Sequence, residues 1–200
     1  MPAHLCLARE EGQSFPGWKW LQQRMTLIPF RGKKPQVSPG AFVAPTATLV
    51  GDVIVEEGAS IWFGAVLRAD IGSIVVKKGA SVQDNAVAHL KLQNSRVYIG
   101  ENATIAHGAI LHDCTVEKGA VVGIGAVVLD FAVVGEDAVV AAGSVVAQNT
   151  RIPPRHLAVG IPAKVKKELS GASLIYVQQG HQIYFQLRDE YLAQGIGRIE

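Results

Sequence analysis

The chain has 200 residues, 48% hydrophobic and 18% charged, with a formal net charge of +2. That suffices for one folded domain and a small appendage, and the charge is too small for a nucleic-acid surface. No run of about 18 apolar residues spells a membrane span: the most apolar stretch, residues 119 to 147, is broken by Asp130, Glu136 and Asp137.

Cys6 and Cys114 make no disulfide framework, so a reducing, cytoplasmic compartment is expected. The opening MPAHLCLAREEGQ lacks the apolar run of a secretory signal. Residues 1 to 24 carry no repeat and hold Trp18 and Trp20. Met25 then opens TLIPFRGKKPQVSPG, a loop-rich entry. We read Met25 as the functional start and residues 1 to 24 as an upstream extension. The alternative is an N-terminal arm that packs through its tryptophans.

From Val43 a six-residue repeat begins. Val43, Leu49, Val55, Ile61 and Leu67 are six apart, as are Val76, Val82 and Ala88. Ile110, Val116, Val122, Val128, Val134, Val140, Val146 and Ile152 follow in the same period. Six is a multiple of two, so a strand keeps these positions on one face. A helix would carry them around its circumference. Gly, Ala, Asp and Asn cluster between them, as turns require, and no proline occurs from Thr46 to Ile152. The expectation is an all-β solenoid, a parallel β-helix of hexapeptides with triangular coils about 4.8 Å apart. The phase slips after Leu67 and between Ala88 and Ile110, which predicts short loops thrown out of the solenoid.

After Ile152, PPRHLAVGIPAK reads as a loop that ends the solenoid. Residues 164 to 193 read as mostly helix, split at Gly180, with Ile183, Leu187 and Tyr191 as an apolar stripe and Tyr184 beside it. The tail GIGRIE is expected to fray. The chain thus divides into an extension (1–24), a β-helix domain (25–163), and a C-terminal helix and tail (164–200).

Three of the six histidines, His89, His107 and His112, fall within 24 residues around the second slip, at spacings of 18 and 5. His4, His156 and His181 read as packed or solvated. Three neutral imidazoles and a water make an open metal site; the competing reading is surface imidazoles at a subunit interface. In a regular coil His89 and His107 would stack one strand apart, and His112 lies up to about 16 Å further along an extended chain. One chain would struggle to gather all three on one metal, so the spacing points to a site between subunits.

The segments GDVIVEEGASIWFGAVLRAD, SVQDNAVAH, IGENATIAHGAILHDCTV, VGIGAVVLD and PPRHLAVGIPAK together resemble the gamma-class carbonic anhydrase family of hexapeptide-repeat proteins. The resemblance covers about residues 25 to 195 and implies a homotrimer of left-handed β-helices with C-terminal helices. The left hand comes from the family alone, since parallel crossovers are normally right-handed. It implies that His89 and His112 of one chain and His107 of its neighbour hold the metal. Arg68, Asp70 and Asp84 then match a buried charge network across the interface, in which a guanidinium bridges carboxylates. Gln83 matches a side chain that hydrogen-bonds the metal-bound hydroxide.

The implied activity is reversible hydration of carbon dioxide, a lyase-type reaction, with zinc as the default metal and iron or cobalt compatible with the same ligands. Three departures stand out: Ser81 for Asn, Ala106 for Gly, and Asp113 for Gly after His112. The segments after Asp70 and His89, IGSIVVKKG and LKLQNSR, hold no carboxylate to shuttle protons. An acyl-CoA thioesterase or acyltransferase is therefore the alternative, with Lys77, Lys78 and Lys91 as candidate phosphate ligands. A non-catalytic trimeric assembly subunit is the third. No nucleic acid or membrane partner is expected.

Overall fold

Period-six spacing becomes three columns of in-register side chains. A computed structural model describes residues 26 to 197; the expectations for residues 1 to 24, for Met25 as a start and for the last three residues lie outside that range. One column runs Leu49, Leu67, Ala88, Leu111, Val128, Val146. A second runs Val55, Val76, Ile99, Val116, Val134, Ile152. A third runs Val43, Ile61, Val82, Ile105, Val122, Val140, Ala158. All are parallel pairings, and the product is a parallel β-solenoid of about seven turns. Every column residue is buried, and small Ala120, Ala126, Ala132 and Ala138 fill the inner corners between the valines. Each fully buried valine contributes about 1.5–3 kcal/mol, so the sequence needs no other core.

The phase slips fix what protrudes. The first is not a loop. Val66–Val76 is one continuous strand, and the register shifts where Gly51 pairs Ala69 but Val53 pairs Ile74. The surplus residues bulge, which re-aims side chains locally, and Asp70 rides on that bulge. The second slip is the expected loop, between Val87–His89 and Arg96–Ile99. A third slip went unseen in the sequence. Leu111, 1% exposed, is the inward residue of its strand, whereas Ile110 is 42% exposed. Ile110 therefore does not belong to the column that begins again at Val116. The intervening turn is one residue short, with Asp113 in the left-handed region at φ 50°. A family glycine at that position has a plain cause, because glycine adopts that backbone without steric cost, whereas Asp only tolerates it.

The C-terminal expectations need correction. His156–Gly160 is a strand, pairing in parallel with Val139 and Val140, and Ala163–Glu168 returns antiparallel beside it. The solenoid thus ends in a hairpin where a loop and the start of a helix were expected. AKVKKE faces solvent except at Ala163, so it carries no period-two signal. Two helices follow, α1 (Ala172–Gln179) and α2 (Gln182–Ala193), separated at Gly180 as expected. The packed stripe of α2 is Tyr184, Leu187, Tyr191 and Leu192; Ile183 is exposed. Ile196 also packs on the core, so the tail does not fray at that point.

Candidate active site

The register that stacks Ala88 on Leu111 sets His89 against His112 at the end of the same face. Their ring centres are 5.5 Å apart. Two imidazoles on one tetrahedral cation place their centres about 5 Å apart, given metal–nitrogen distances of about 2.0–2.1 Å, so the pair fits. Asp70 Oδ1 lies 3.1 Å from His89 Nε2, and Asp70 also pairs with Arg68. Burial pushes the Asp70 carboxyl up, but Arg68 and His89 outweigh it and hold it below the usual range. Asp130 is 3% exposed. Its Oδ1 accepts from His112 Nδ1, and its Oδ2 from Lys91 Nζ at 2.9 Å and Gln148 Nε2 at 2.7 Å. Burial opposes ionisation there too; His112 and Lys91 prevail, and the carboxyl sits below its ordinary value.

The opposite edge of that face carries the third histidine. His107 occupies the turn between Thr104–Ile105 and Ile110–His112. The Gly108 N–H donates to the Asp84 carbonyl at 2.9 Å, so His107 stacks on the turn that presents Gln83 and Asp84. Asp84 Oδ2 lies 2.9 Å from His107 Nδ1, and the Tyr184 hydroxyl 3.1 Å from Nε2. Gly64, at φ 68°, lies beneath that turn; a Cβ there would collide with the Asn85 side chain. Tyr184 is held edge-on against Trp62, ring centres 5.4 Å apart, and the Trp62 indole donates to Ser60 and Ser81. Burial, and then the Asp84 charge, raise the Tyr184 pKa. Gln83 is 3% exposed. With Tyr184 it lines a cavity of about 410 Å³ walled by Val121, Val139, Val177 and Leu169.

The structure therefore brings together His89, His112, Asp70 and Arg68 on one edge, and Gln83, Asp84 and His107 on the other. It does not join the two within one chain. Regular winding would have stacked His89 on His107; the loop after Leu90 enlarges that coil and stacks it on His112 instead. The charge network is not buried in a single chain, since Arg68 is 47% exposed and pairs with Asp70 rather than Asp84. Among the described residues no group of three or more His, Cys, Asp or Glu converges as a metal site.

As members of the site, Asp130, Gln148 and Tyr184 escaped the sequence reading. Asp130 follows His112 by 18 residues, and Gln148 follows Asp130 by 18. One full coil puts such residues on one edge, and that spacing was the available signal. Asp113, which stands where the resemblance has Gly after His112, is 3% exposed with Oδ2 unpaired among the described residues.

No protein-family model matches the chain. It is 42% identical over 185 residues to gamma carbonic anhydrase 2, mitochondrial, of Arabidopsis thaliana, covering 90% of this chain. The chain spans only 66% of that relative's length. It is 37% identical to a carbonic anhydrase of Geobacillus kaustophilus, across 84% of this chain and 88% of that protein. The crystal structure of a hexapeptide transferase family protein from Anaplasma phagocytophilum superposes with a TM-score of 0.80 at 37% identity, covering 83% of this chain and 98% of that one. With a stacked histidine pair on one edge of such a solenoid and a lone histidine on the other, the chain belongs to the gamma-class carbonic anhydrase family.

Proposed function

We propose that the protein is a metal-dependent enzyme that hydrates carbon dioxide reversibly, at sites shared between the subunits of a homotrimer. One observation carries this: two imidazoles lie on one edge of a face, one on the opposite edge, and no chain gathers three. Triangular prisms repeated about a three-fold axis set unlike edges side by side and close without leaving one unused.

His89 and His112 of one copy and His107 of the next would hold the cation, zinc by default, with iron or cobalt compatible with the same nitrogens. Bound there, it lowers the pKa of water to near 7 and so supplies a nucleophile for carbon dioxide. The chain's own residues orient the reaction. Asp70 and Asp84 aim the rings of His89 and His107. The Gln83 amide, on a buried residue and without a partner among the described residues, would hydrogen-bond the reacting oxygen. Arg68, half-exposed beside Asp70, is free to bridge to a neighbour's carboxylate. No helix of the described residues is long and apolar enough to cross a membrane.

The cavity beside Gln83 favours a second reading, hydrolysis of an acyl thioester whose acyl group lies in it. The lysines weigh against a coenzyme A site. Lys77 pairs with Glu56, Lys78 with Glu57 and Lys91 with Asp130, so they do not converge on a phosphate. Carbon dioxide hydration and thioester hydrolysis measured on one metal-loaded sample test both readings. Hydration that rises with metal content is expected; thioester hydrolysis alone would reverse the assignment, and neither activity would leave a structural trimer.

A further inference from the structure

Building on the shared-metal reading above, we propose that Asp130 is a positioning residue, acting through His112 to present its Nε2 to the metal. Three observations carry this. Asp130 is almost fully buried at 3% exposure, a costly place for a carboxylate unless its lone pairs are filled. Its Oδ2 takes both Lys91 and Gln148, which leaves Oδ1 for the His112 ring. A carboxylate that accepts at Nδ1 requires the neutral ring to carry its hydrogen there, so the lone pair sits on Nε2. The Nε2 of His112 has no partner among the described residues, and neither has the Nδ1 of His89, whereas both nitrogens of His107 are engaged. His112 is thus a ring already set for a metal, held there by a carboxylate that is itself buried.

The same carboxylate couples the two stacked histidines. Lys91 lies two residues after His89, on the loop that enlarges that coil, and its ammonium ends on Asp130. The coil that presents His89 and the coil that presents His112 are therefore tied to one buried group. Gln148, a further coil along, braces that group from the other side. This places Lys91 in the metal site's support rather than on a phosphate.

The test compares Asp130→Ala with Val146→Ala, a cavity mutant in the core that leaves this edge intact. Metal affinity is read by chelator competition with zinc(II) and with cobalt(II), alongside the melting temperature. Loss of an outer partner of a metal-binding histidine typically weakens affinity 10–100-fold. Asp130→Ala is expected to do so, while Val146→Ala lowers the melting temperature and keeps the affinity. Equal losses in the two variants, or none in Asp130→Ala, would overturn the proposal. If Asp130→Ala does not fold, Asp130→Asn replaces it. Nitrogen-15 chemical shifts of the His112 ring give a second readout that needs no metal: protonation at Nδ1 in the parent, and loss of that preference in the variant. A parent that binds neither metal yet shows Nδ1 protonation would refute the shared-metal reading alone; an Nε2-protonated ring would refute the positioning role itself.

Discussion

The two edges that carry the histidines are built by different means. The two-histidine edge is made by the solenoid itself. His89 and His112 are strand partners, Asp70 rides a bulge in the adjoining strand, and Asp130 sits one coil beyond. The one-histidine edge is made by a turn and a distant helix, because His107 meets Tyr184, 77 residues away in sequence. The first edge stands as long as the coils stack. The second also needs α2 seated on Trp62. The repeat therefore builds the two-histidine edge unaided, while the one-histidine edge also leans on the C-terminal element.

The largest expected effect removes both edges together. Val122→Asp buries an unpaired carboxylate where exposure is 0%, at a cost of several kcal/mol against a typical total of about 5–15 kcal/mol. Circular dichroism should show loss of the sheet; a folded variant would mean the column is not the core. His107→Ala touches only one edge. It should lose stoichiometric metal, since two imidazoles are too few for a stable catalytic zinc site, yet keep the parent's circular dichroism. Unchanged metal content would remove the one-histidine edge from the site.

Asp113→Gly is expected to stabilise. It relieves a left-handed backbone at φ 50° and removes a buried, unpaired oxygen, worth about 1–3 kcal/mol. A lower melting temperature would mean that Asp113 finds a partner in the assembled protein. The acid limb of stability should be smaller and confined to one edge. Asp70 and Asp130 are both held below their ordinary values. Their contribution is complete above the unfolded carboxyl pKa of about 4 and is lost as pH falls through the lower folded values. Denaturant unfolding between pH 7 and 3 should be flat before it drops, and Asp130→Asn should shrink the drop. A decline that starts near pH 6 would implicate other groups.

Much of this was legible in the sequence, and the misses have physical causes. From Val116 to Ile152 every coil has 18 residues, so period six tracks the core without error. Ile110 was misplaced because the short turn at Asp113 shifts the phase by one, which exchanges inside for outside. Ala163–Glu168 was taken for helix because an outward-facing edge strand of lysines carries no alternation. Ile183 was placed in the packed stripe because it sits four residues before Leu187; the aromatic cluster around Trp62 seats Tyr184 there instead and leaves Ile183 exposed. The histidines were legible as a set, but their spacing alone would have stacked His89 on His107, and only the family resemblance paired His89 with His112. That pairing follows from the loop after Leu90, whose effect on register no spacing rule gives.

In the proposed assembly one metal draws ligands from both kinds of edge on different chains. Subunit mixing tests it most directly. His107→Ala and the double variant His89→Ala/His112→Ala should each lack metal alone. Refolded together in equal amounts as random trimers, they should recover metal and hydration at about a quarter of the sites, where an intact pair meets an intact His107. No recovery from the mixture, or full metal in either variant alone, would contradict the shared site.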